Sequence, residues 1–307
     1  MDKHHRTVSL MKRHWQKYLL LLLPLIYLMI FQYYPMLGLQ IAFKQFRSSM
    51  GIWGSPWIGF DHFINFFQSH QFVRVVSNTL TLSIYQLIAG FPLPIIFALL
   101  LNTLVNRHYK KVVQTVTYLP YFISTVVLVG MLFQVFDPFV GVFGRIYQEI
   151  TGEIAPNLFV KAGNFPHLFV WSGIWQNMGW NSIIYFAALS AVSPELHEAG
   201  KIDGMTRFKR ILYIDFPAIL PTATILLILN FGRIMTVGFE KVWLMQNNLN
   251  LINSEVISTY VYKVGIGTGA GNFSYATAIG LFNSVINLIL IITVNKICKR
   301  LGNSSLW

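Results

Sequence analysis

Residues 193–221 read SPELHEAGKIDGMTRFKRILYIDFPAILP, a pattern that predicts two short amphipathic helices joined by a tight turn. Ser193 can cap the first helix, and Pro194 suits its first turn because the N–H group that proline lacks has no partner there. The dipeptide Asp203-Gly204 then ends the helix, since glycine takes the left-handed conformation that helix C-termini favour. We therefore predict a helix–turn–helix element between two apolar segments.

The second of these helices carries Met205, Phe208 and Ile211 on one face and basic residues on its polar side. Pro217 and Pro221 are expected to redirect the chain after it. Such a helix pair either rests on lipid headgroups or presents its apolar stripe to a groove of a partner protein. Amphipathicity by itself leaves both alternatives open.

The composition of the whole chain is that of a membrane protein. Of its 307 residues, 54% are hydrophobic and 11% are charged, whereas soluble domains carry about 25% charged residues. In a soluble protein the net charge of +12 would suggest a nucleic-acid partner. Here the basic residues flank apolar runs, which is the pattern of membrane topology, so we expect no nucleic-acid partner. The single cysteine, Cys298, excludes a disulfide framework.

Six windows are long and apolar enough to cross a bilayer as helices, for which about 20 residues are required. They are Tyr18–Ala42, Asn78–Leu101, Val113–Phe136, Phe169–Val192, Pro217–Gly238 and Phe273–Ile297. We therefore predict an all-α membrane protein with six transmembrane helices. Its expected organisation is a tail over 1–17, a membrane domain over 18–297 that contains the helix pair in the loop 193–216, and a tail over 298–307.

The distribution of lysine and arginine orients these helices. Fifteen of the 23 basic residues fall in the two tails and in the loops after the second and fourth windows, and seven fall in the other loops. Because cytoplasmic loops carry the excess of basic residues, both termini and the loop 193–216 are predicted to face the cytoplasm. The remaining basic residue, Arg233, is placed inside the fifth window.

The fourth window is unusually polar and aromatic for a helix that faces lipid. Its polar and aromatic residues include Trp171, Trp175, Gln176, Asn177, Trp180 and Asn181. Sugars are bound by aromatic faces and by amide or hydroxyl groups, and helical spacing places Asn177 with Asn181 on one face and Gln176 with Trp180 on an adjacent one. These side chains either line a path for a sugar or hold neighbouring helices together, as amides in membranes also do.

Arg233 is the one basic residue well inside an apolar window, where an arginine costs about 2.5–3.5 kcal/mol on insertion scales. No acidic residue lies deep in another window, so an internal ion pair is not expected. Asn230 lies three residues earlier on the same helical face. We hypothesise that Asn230 and Arg233 line the translocation path.

The sequence contains no constellation typical of a catalytic or metal site. It has no Walker-type G-x-x-x-x-G-K-[ST] motif, and the glycines from Gly265 to Gly271 are not followed by the Lys-Ser/Thr pair of a phosphate loop. The histidines lack metal-ligand spacing. No carboxylate lies inside a window, which argues against a proton-coupled carrier. We expect no enzyme activity and no metal or cofactor bound by this chain.

Glu198-Ala199-Gly200, followed by Asp203-Gly204 and Phe216-Pro217, resembles the EAA loop of ABC importer permeases. The family usually has alanine where this chain has Gly200, a change expected to loosen the helix by up to about 1 kcal/mol. Further strings resemble the maltose-type branch, and within it permeases for complex oligosaccharides. These strings are Tyr34-Pro35, Ile41-Ala42-Phe43-Lys44, Gly54-Ser55-Pro56-Trp57, Asn78-Thr79-Leu80 and Gly238-Phe239-Glu240-Lys241-Val242.

The resemblance covers nearly the whole chain and implies roles for particular residues. In the family the EAA loop is a coupling helix pair that docks into a cleft of a cytoplasmic ATPase. The coupling residues it implies are Glu198, Ala199, Gly200, Asp203, Gly204 and Phe208. Among them, the residue matching Glu198 contacts the ATPase, and the one matching Gly204 permits the turn. The family's sugar contacts match Gln176, Asn177 and Trp180.

The resemblance also implies an assembly in the bacterial plasma membrane. Its expected partners are a second permease subunit in a heterodimer, two ATP-binding cassette subunits that hold ATP and Mg, and a lipid-anchored or periplasmic solute-binding protein. The expected function is import of oligosaccharides by alternating access. The alternatives are an ABC permease for a non-sugar solute, a secondary carrier without an ATPase, and a membrane-embedded enzyme.

Overall fold

The computed structural model describes residues 13–267 and 271–300, so the predicted tails over 1–17 and 298–307 lie largely outside the described residues, as does Gly269. Nearly all of the described chain is helical, and it forms no strand there apart from an isolated antiparallel bridge between Lys44 and Trp57. The predicted all-α fold class is confirmed.

The helices are numbered here in chain order. They are α1 Trp15–Phe43, α2 Asp61–Gln68, α3 His70–Asn102, α4 Arg107–Phe122, α5 Thr125–Val135, α6 Val142–Thr151, α7 Phe165–Ser190, α8 Pro194–Ile202, α9 Arg207–Phe231, α10 Phe239–Met245, α11 Ile257–Tyr262 and α12 Phe273–Arg300. Short turns at Gly51–Gly54, Ala162–Asn164 and Leu251–Ser254 connect some of them. By internal contacts the chain forms two units, Met1–Phe67 with Val264–Leu281, and Gln68–Lys263 with Phe282–Trp307.

Four helices in the described part of the chain, α1, α3, α9 and α12, are long and apolar enough to cross a membrane. They coincide with the first, second, fifth and sixth predicted windows. The third window corresponds to two helices, α4 and α5, whose axes differ by 101°. If the pair is taken as one broken span, it is the fifth. The fourth window is α7, which has 26 residues but is not among the apolar helices because of its polar side chains. The count of six spans stays a prediction.

The end of the fifth window was placed too far along the chain. Helix α9 ends at Phe231, and a turn follows. The N–H group of Met235 donates to Asn287 Oδ1 at 3.0 Å, so α12 supplies the partner that a continued helix would give this group. Asn287 Nδ2 also donates to the Thr236 hydroxyl at 3.1 Å. Placing Arg233 inside a transmembrane helix was therefore wrong, since it lies exposed in this turn.

The expected change of direction at Pro217 and Pro221 is also absent. Helix α9 runs continuously from Arg207 to Phe231 through both prolines. A wider π-helical turn at Ile211–Asp215 lies immediately before Pro217. Proline disrupts a helix by removing one N–H group and by crowding the carbonyl four residues earlier, and a π-turn at that point changes the spacing of those carbonyls.

Helix α7 lies at the centre of the larger unit. Its buried side chains join two hydrophobic clusters, one with residues of α3, α5 and α10, and one with residues of α3 and α9. The first cluster includes Leu82, Val129, Phe165, Phe169, Val170, Ile174, Val242 and Met245. The second includes Ile95, Ala98, Leu99, Tyr185, Leu189, Ile219 and Ala223. The helix therefore holds the elements that surround the candidate site.

The closest approach to α7 is made by α4, at Gly179. A Cβ atom on Gly179 would overlap the carbonyl oxygen of Thr117, and backbone cannot move aside as a flexible side chain can. We expect Gly179→Ala to lower the thermal midpoint of the purified protein, since overpacking typically costs about 1–3 kcal/mol. The matched control is Gly130→Ala in α5, where a Cβ meets nothing within 4 Å; there the helix propensity of alanine should give a small gain. Equal midpoints for the two variants would contradict the packing argument.

In the smaller unit, Lys44 is buried between two tryptophans. Its Nζ atom donates to the carbonyl oxygen of Ile52 at 2.9 Å and lies 4.6 Å from the centre of the Trp57 ring and 5.9 Å from that of Trp53. Cation–π contacts of this kind stabilise a desolvated ammonium group by roughly 2 kcal/mol. The lysine thus fixes the segment that follows α1.

Candidate functional site

A cavity of about 720 Å³ opens between α3, α7, α9 and the turn after α9. A depression of similar size, about 700 Å³, lies along α3, but its lining is almost wholly apolar. The first cavity is the candidate site, because polar and aromatic side chains from three elements converge there, which is the pattern of ligand pockets.

The lining of this cavity combines amide, aromatic and cationic groups. Its polar and aromatic residues include Gln86, Phe91, Asn177, Trp180, Asn181, Tyr185, Asn230 and Arg233. Among the described residues that line the cavity, Arg233 is the one charged residue, and none carries a carboxylate. The cavity can therefore donate hydrogen bonds and stack against a ring, and its own charge is positive.

Four of the five residues predicted to line the substrate path surround this cavity: Asn177, Trp180, Asn230 and Arg233. Helix geometry places the first two on α7, and the turn after α9 brings Arg233 to the same space as Asn230. The side-chain amides of Asn177 and Asn230 donate to carbonyl groups of their own helices, each at 2.8 Å, which fixes their rotamers. Their role in sugar binding stays a prediction.

The fifth residue, Gln176, is not among the residues that line the cavity. Its Nε2 atom donates to the carbonyl oxygen of Ile123 at 2.8 Å. Ile123 and Ser124 form the break between α4 and α5, where Ser124 caps α5 by accepting from the N–H group of Val127 at 3.3 Å. Gln176 thus pairs a carbonyl at the break, and this is the helix-packing role that the sequence left as an alternative.

Trp180 contacts the end of α4, next to the break, and also lines the cavity. Its ring stacks on Tyr121 with centroids 4.3 Å apart and planes at 3°, and the Phe122 ring meets it edge-on at 5.8 Å. Stacked and edge-on aromatic pairs contribute about 0.5–1.5 kcal/mol beyond burial. The ring is therefore held in place on one side while it lines the cavity on the other.

Lys241 lies behind the cavity wall. It is only 8% exposed, its Nζ atom donates to the carbonyl oxygen of Phe169 at 2.8 Å, and the Phe169 ring centre lies 4.9 Å away. Burial lowers the pKa of Lys241 to about 8, so the side chain is mostly protonated at neutral pH. None of the ion pairs found in the described chain includes it.

The first helix of the predicted pair is present as α8, whereas the second is not a separate short helix, because its residues begin the long helix α9. Residues 193–216 are called the bracket below. The Ser193 hydroxyl accepts from the N–H group of Glu195 at 3.2 Å, as a helix cap does. Gly204 has φ of +72°, the left-handed conformation expected after α8. Gly200 is buried, and a Cβ there would lie 3.3 Å from the Met205 sulfur and 3.2 Å from Ile214 Cδ1. Glycine at this position therefore permits a close approach of the two helices.

The bracket is fixed to the helix bundle from one side and exposed on the other. Buried Asp215 lies 3.4 Å from His197 Nε2 and accepts from Asn102 Nδ2 at 3.3 Å. Ile202 and Phe208 are 86% and 72% exposed. Of the predicted coupling residues, Phe208, Glu198, Ala199, Asp203 and Gly204 are exposed, and Gly200 is buried. The bracket thus presents apolar side chains and the carboxylates of Glu198 and Asp203 to its surroundings.

Residues 90–303 match the family described as "Binding-protein-dependent transport system inner membrane component". The chain belongs to this family. It is 41% identical to Protein LplB of Bacillus subtilis (strain 168) over 300 residues, covering 98% of this chain and 93% of the relative. It is 39% identical to the polygalacturonan/rhamnogalacturonan transport system permease protein YteP of the same organism over 307 residues, covering 99% and 95%.

A solved structure shows the same architecture. It is described as a bacterial ABC transporter involved in the import of the acidic polysaccharide alginate, and its chain is 39% identical to this one. The match covers 96% of this chain and 99% of that chain, with a TM-score of 0.88. The permease fold is thereby confirmed, and the protein is a multi-pass component of the membrane.

One ion pair of the permease involves a carboxylate that the structure buries. Glu255 lies in a connecting segment but is only 2% exposed; it pairs with Arg74, and Lys263 Nζ lies 3.6 Å from its other oxygen. The Asn78 amide donates to the carbonyl groups of Ile252 and Glu255 at 2.9 and 3.0 Å. These contacts fasten the segment before α11 to the start of α3.

The residues that sequence reasoning missed, Lys44, Lys241 and Glu255, share a weak signal. Each is a charged residue with at least one apolar neighbour in the sequence, and charged side chains are ordinarily solvated. Only tertiary contacts show that they are buried.

Proposed function

We propose that this permease is one of two membrane subunits of an ATP-driven importer that moves oligosaccharides by alternating access. The observation that carries the proposal is the cavity itself, where amides, an indole ring and a guanidinium group converge in a chain of this transport family. Sugars present hydroxyl groups and apolar ring faces, and this lining offers a partner for each. The fourth window is too polar for lipid contact because α7 forms a wall of this cavity.

The preferred substrate in this proposal is an acidic oligosaccharide. Arg233 gives the described lining a single positive charge and no carboxylate opposes it, and a guanidinium pairs well with carboxylates. Two similar proteins point the same way, because their descriptions name polygalacturonan and the acidic polysaccharide alginate. A neutral sugar would gain less from this arrangement.

The proposed energy source is ATP hydrolysis by partner subunits. The exposed side chains of Ile202, Phe208 and Glu198 would dock the bracket into one of two cytoplasmic ATP-binding cassette subunits, which carry ATP and Mg. The second membrane subunit would be a related permease in a heterodimer. A lipid-anchored or periplasmic binding protein would deliver the sugar; the words "binding-protein-dependent" in the family description support a binding protein as partner. Both termini would face the cytoplasm of a bacterium.

The substrate proposal is tested by Arg233→Gln in the complete importer, reconstituted in proteoliposomes with its binding protein. We expect the maximal uptake rate of trigalacturonate to fall about tenfold, the equivalent of 1.4 kcal/mol, because a charge-assisted hydrogen bond is lost. The binding protein sets the half-maximal concentration, so the maximal rate is the quantity to measure.

The neutral comparison sugar is the same trisaccharide with its carboxylates reduced to alcohols, and its rate should not change. Arg145→Gln, at an exposed arginine outside the cavity, is the matched control. Failure of the unaltered importer to move trigalacturonate would refute the acidic substrate. Uptake that continues without ATP would favour a secondary carrier.

A further inference from the structure

Lys241 is separated from the cavity by a single glycine. Gly173 lines the cavity, and the Cβ atom that it lacks would lie 3.2 Å from Lys241 Nζ. Any other residue at this position would place a side chain against the ammonium group. The backbone of α7 is therefore the only material between the positive charge and the substrate space at this point.

The charge of Lys241 has no counterion within the described chain. Its ammonium group contacts a carbonyl oxygen and an aromatic ring, and the ion pairs of the described residues all lie elsewhere. Burying a charge without a counterion is unfavourable, so a lysine at this position calls for a compensating role. In a low-dielectric site, an unscreened charge also acts over longer distances than in water.

We propose that Lys241 is a specificity-determining residue, which raises the positive potential of the cavity and so favours anionic oligosaccharides without touching them. This inference rests on the proposed function, in which Arg233 contacts the sugar directly. Lys241 would act through the thin wall at Gly173, and the two charges would together offset the carboxylates of the substrate.

A purely structural role predicts a different outcome. The hydrogen bond to Phe169 ties α10 to α7, and losing it would disturb the cavity for every sugar alike. An electrostatic role affects acidic sugars and leaves neutral ones unchanged. The variant Lys241→Gln keeps an N–H donor for the Phe169 carbonyl and removes the charge, and so separates the two roles.

The experiment measures binding of labelled trigalacturonate, and of its carboxyl-reduced form, to the assembled importer in nanodiscs by equilibrium dialysis without the binding protein. We expect Lys241→Gln to weaken binding of the acidic sugar about tenfold, because losing one close charge changes recognition on that scale. Binding of the reduced sugar and basal ATP hydrolysis should not change. The control is Lys161→Gln, at an exposed loop lysine, which should alter neither.

An equal loss for both sugars, or unchanged binding of the acidic one, would overturn the role of Lys241. If Lys241→Gln does not assemble, Lys241→Met is measured in the same way. Because methionine also loses the hydrogen bond to Phe169, the criterion is then whether binding of the acidic sugar falls more than binding of the reduced sugar, and equal losses would overturn the proposal. The proposed function fails separately, since in that case the unaltered importer binds no trigalacturonate, or Arg233→Gln binds it normally.

Discussion

Replacing Phe208 by alanine is expected to abolish ATP-driven uptake while the permease stays folded in the membrane. The ring is 72% exposed at the tip of the bracket, so its loss removes little contact within the chain. If the ATP-binding cassette subunits bind here, an aromatic anchor at the centre of the interface contributes about 2–4 kcal/mol. Co-purification of the cassette subunits and sugar-stimulated ATP hydrolysis are the measurements.

The control for this prediction is Phe139→Ala, an equally exposed phenylalanine in the segment after α5. It should retain the cassette subunits. Full co-purification with Phe208→Ala would place the docking surface elsewhere, and loss of the variant protein from the membrane would mean that Phe208 is needed for folding instead.

The variant Arg74→Met is expected to be the least stable of the single substitutions considered. Glu255 would keep only the more distant Lys263 as a partner, and its carboxylate would remain buried. Removing one partner of a fully buried ion pair costs about 3–5 kcal/mol. The cost here should be smaller, because the Arg74 side chain is 38% exposed and Lys263 still compensates part of the Glu255 charge. The measurement is the thermal midpoint of the purified permease at a fixed scan rate.

A double variant tests the reason for this loss. Adding Glu255→Gln to Arg74→Met removes the unpaired charge and should restore most of the midpoint, whereas independent effects would add. Lys263→Met should have a smaller effect, since Lys263 lies farther from Glu255 and is more exposed. A double variant less stable than Arg74→Met would contradict this account.

Length and apolarity were enough to predict the positions of four helices that are long and apolar enough to cross a membrane, because both are local properties of the chain. The same holds for the bracket, where Ser193 and Gly204 act through their own backbone neighbours. The bend between α4 and α5 was missed, and one of its carbonyl groups is paired by Gln176, which is distant in sequence. Likewise, the turn after α9 is hydrogen-bonded by Asn287 on α12.

For the candidate site, the types of residue in α7 predicted a polar surface, but the direction of each side chain could not be predicted. A cluster of amides and indoles in α7 correctly indicated a helix with a polar surface, and Asn177, Trp180, Asn230 and Arg233 do meet at one cavity. The sequence could not distinguish Gln176, which faces the bend, from its neighbour Asn177. Lys241 gave no signal of its own, since burial behind Gly173 arises only when α10 packs on α7.

Hydrophobicity alone does not favour insertion of α7 into the bilayer during synthesis. The translocon selects helices largely by hydrophobicity, and this one carries Gln176, Asn177 and Asn181 in its middle. Gly179 packs against α4, Gln176 donates to a carbonyl group just after α4, and α7 lines the cavity together with α3. Both α3 and α4 are synthesised before α7. The order of synthesis therefore places the helices that receive α7 in the membrane before it arrives, and biogenesis of this segment should depend on them.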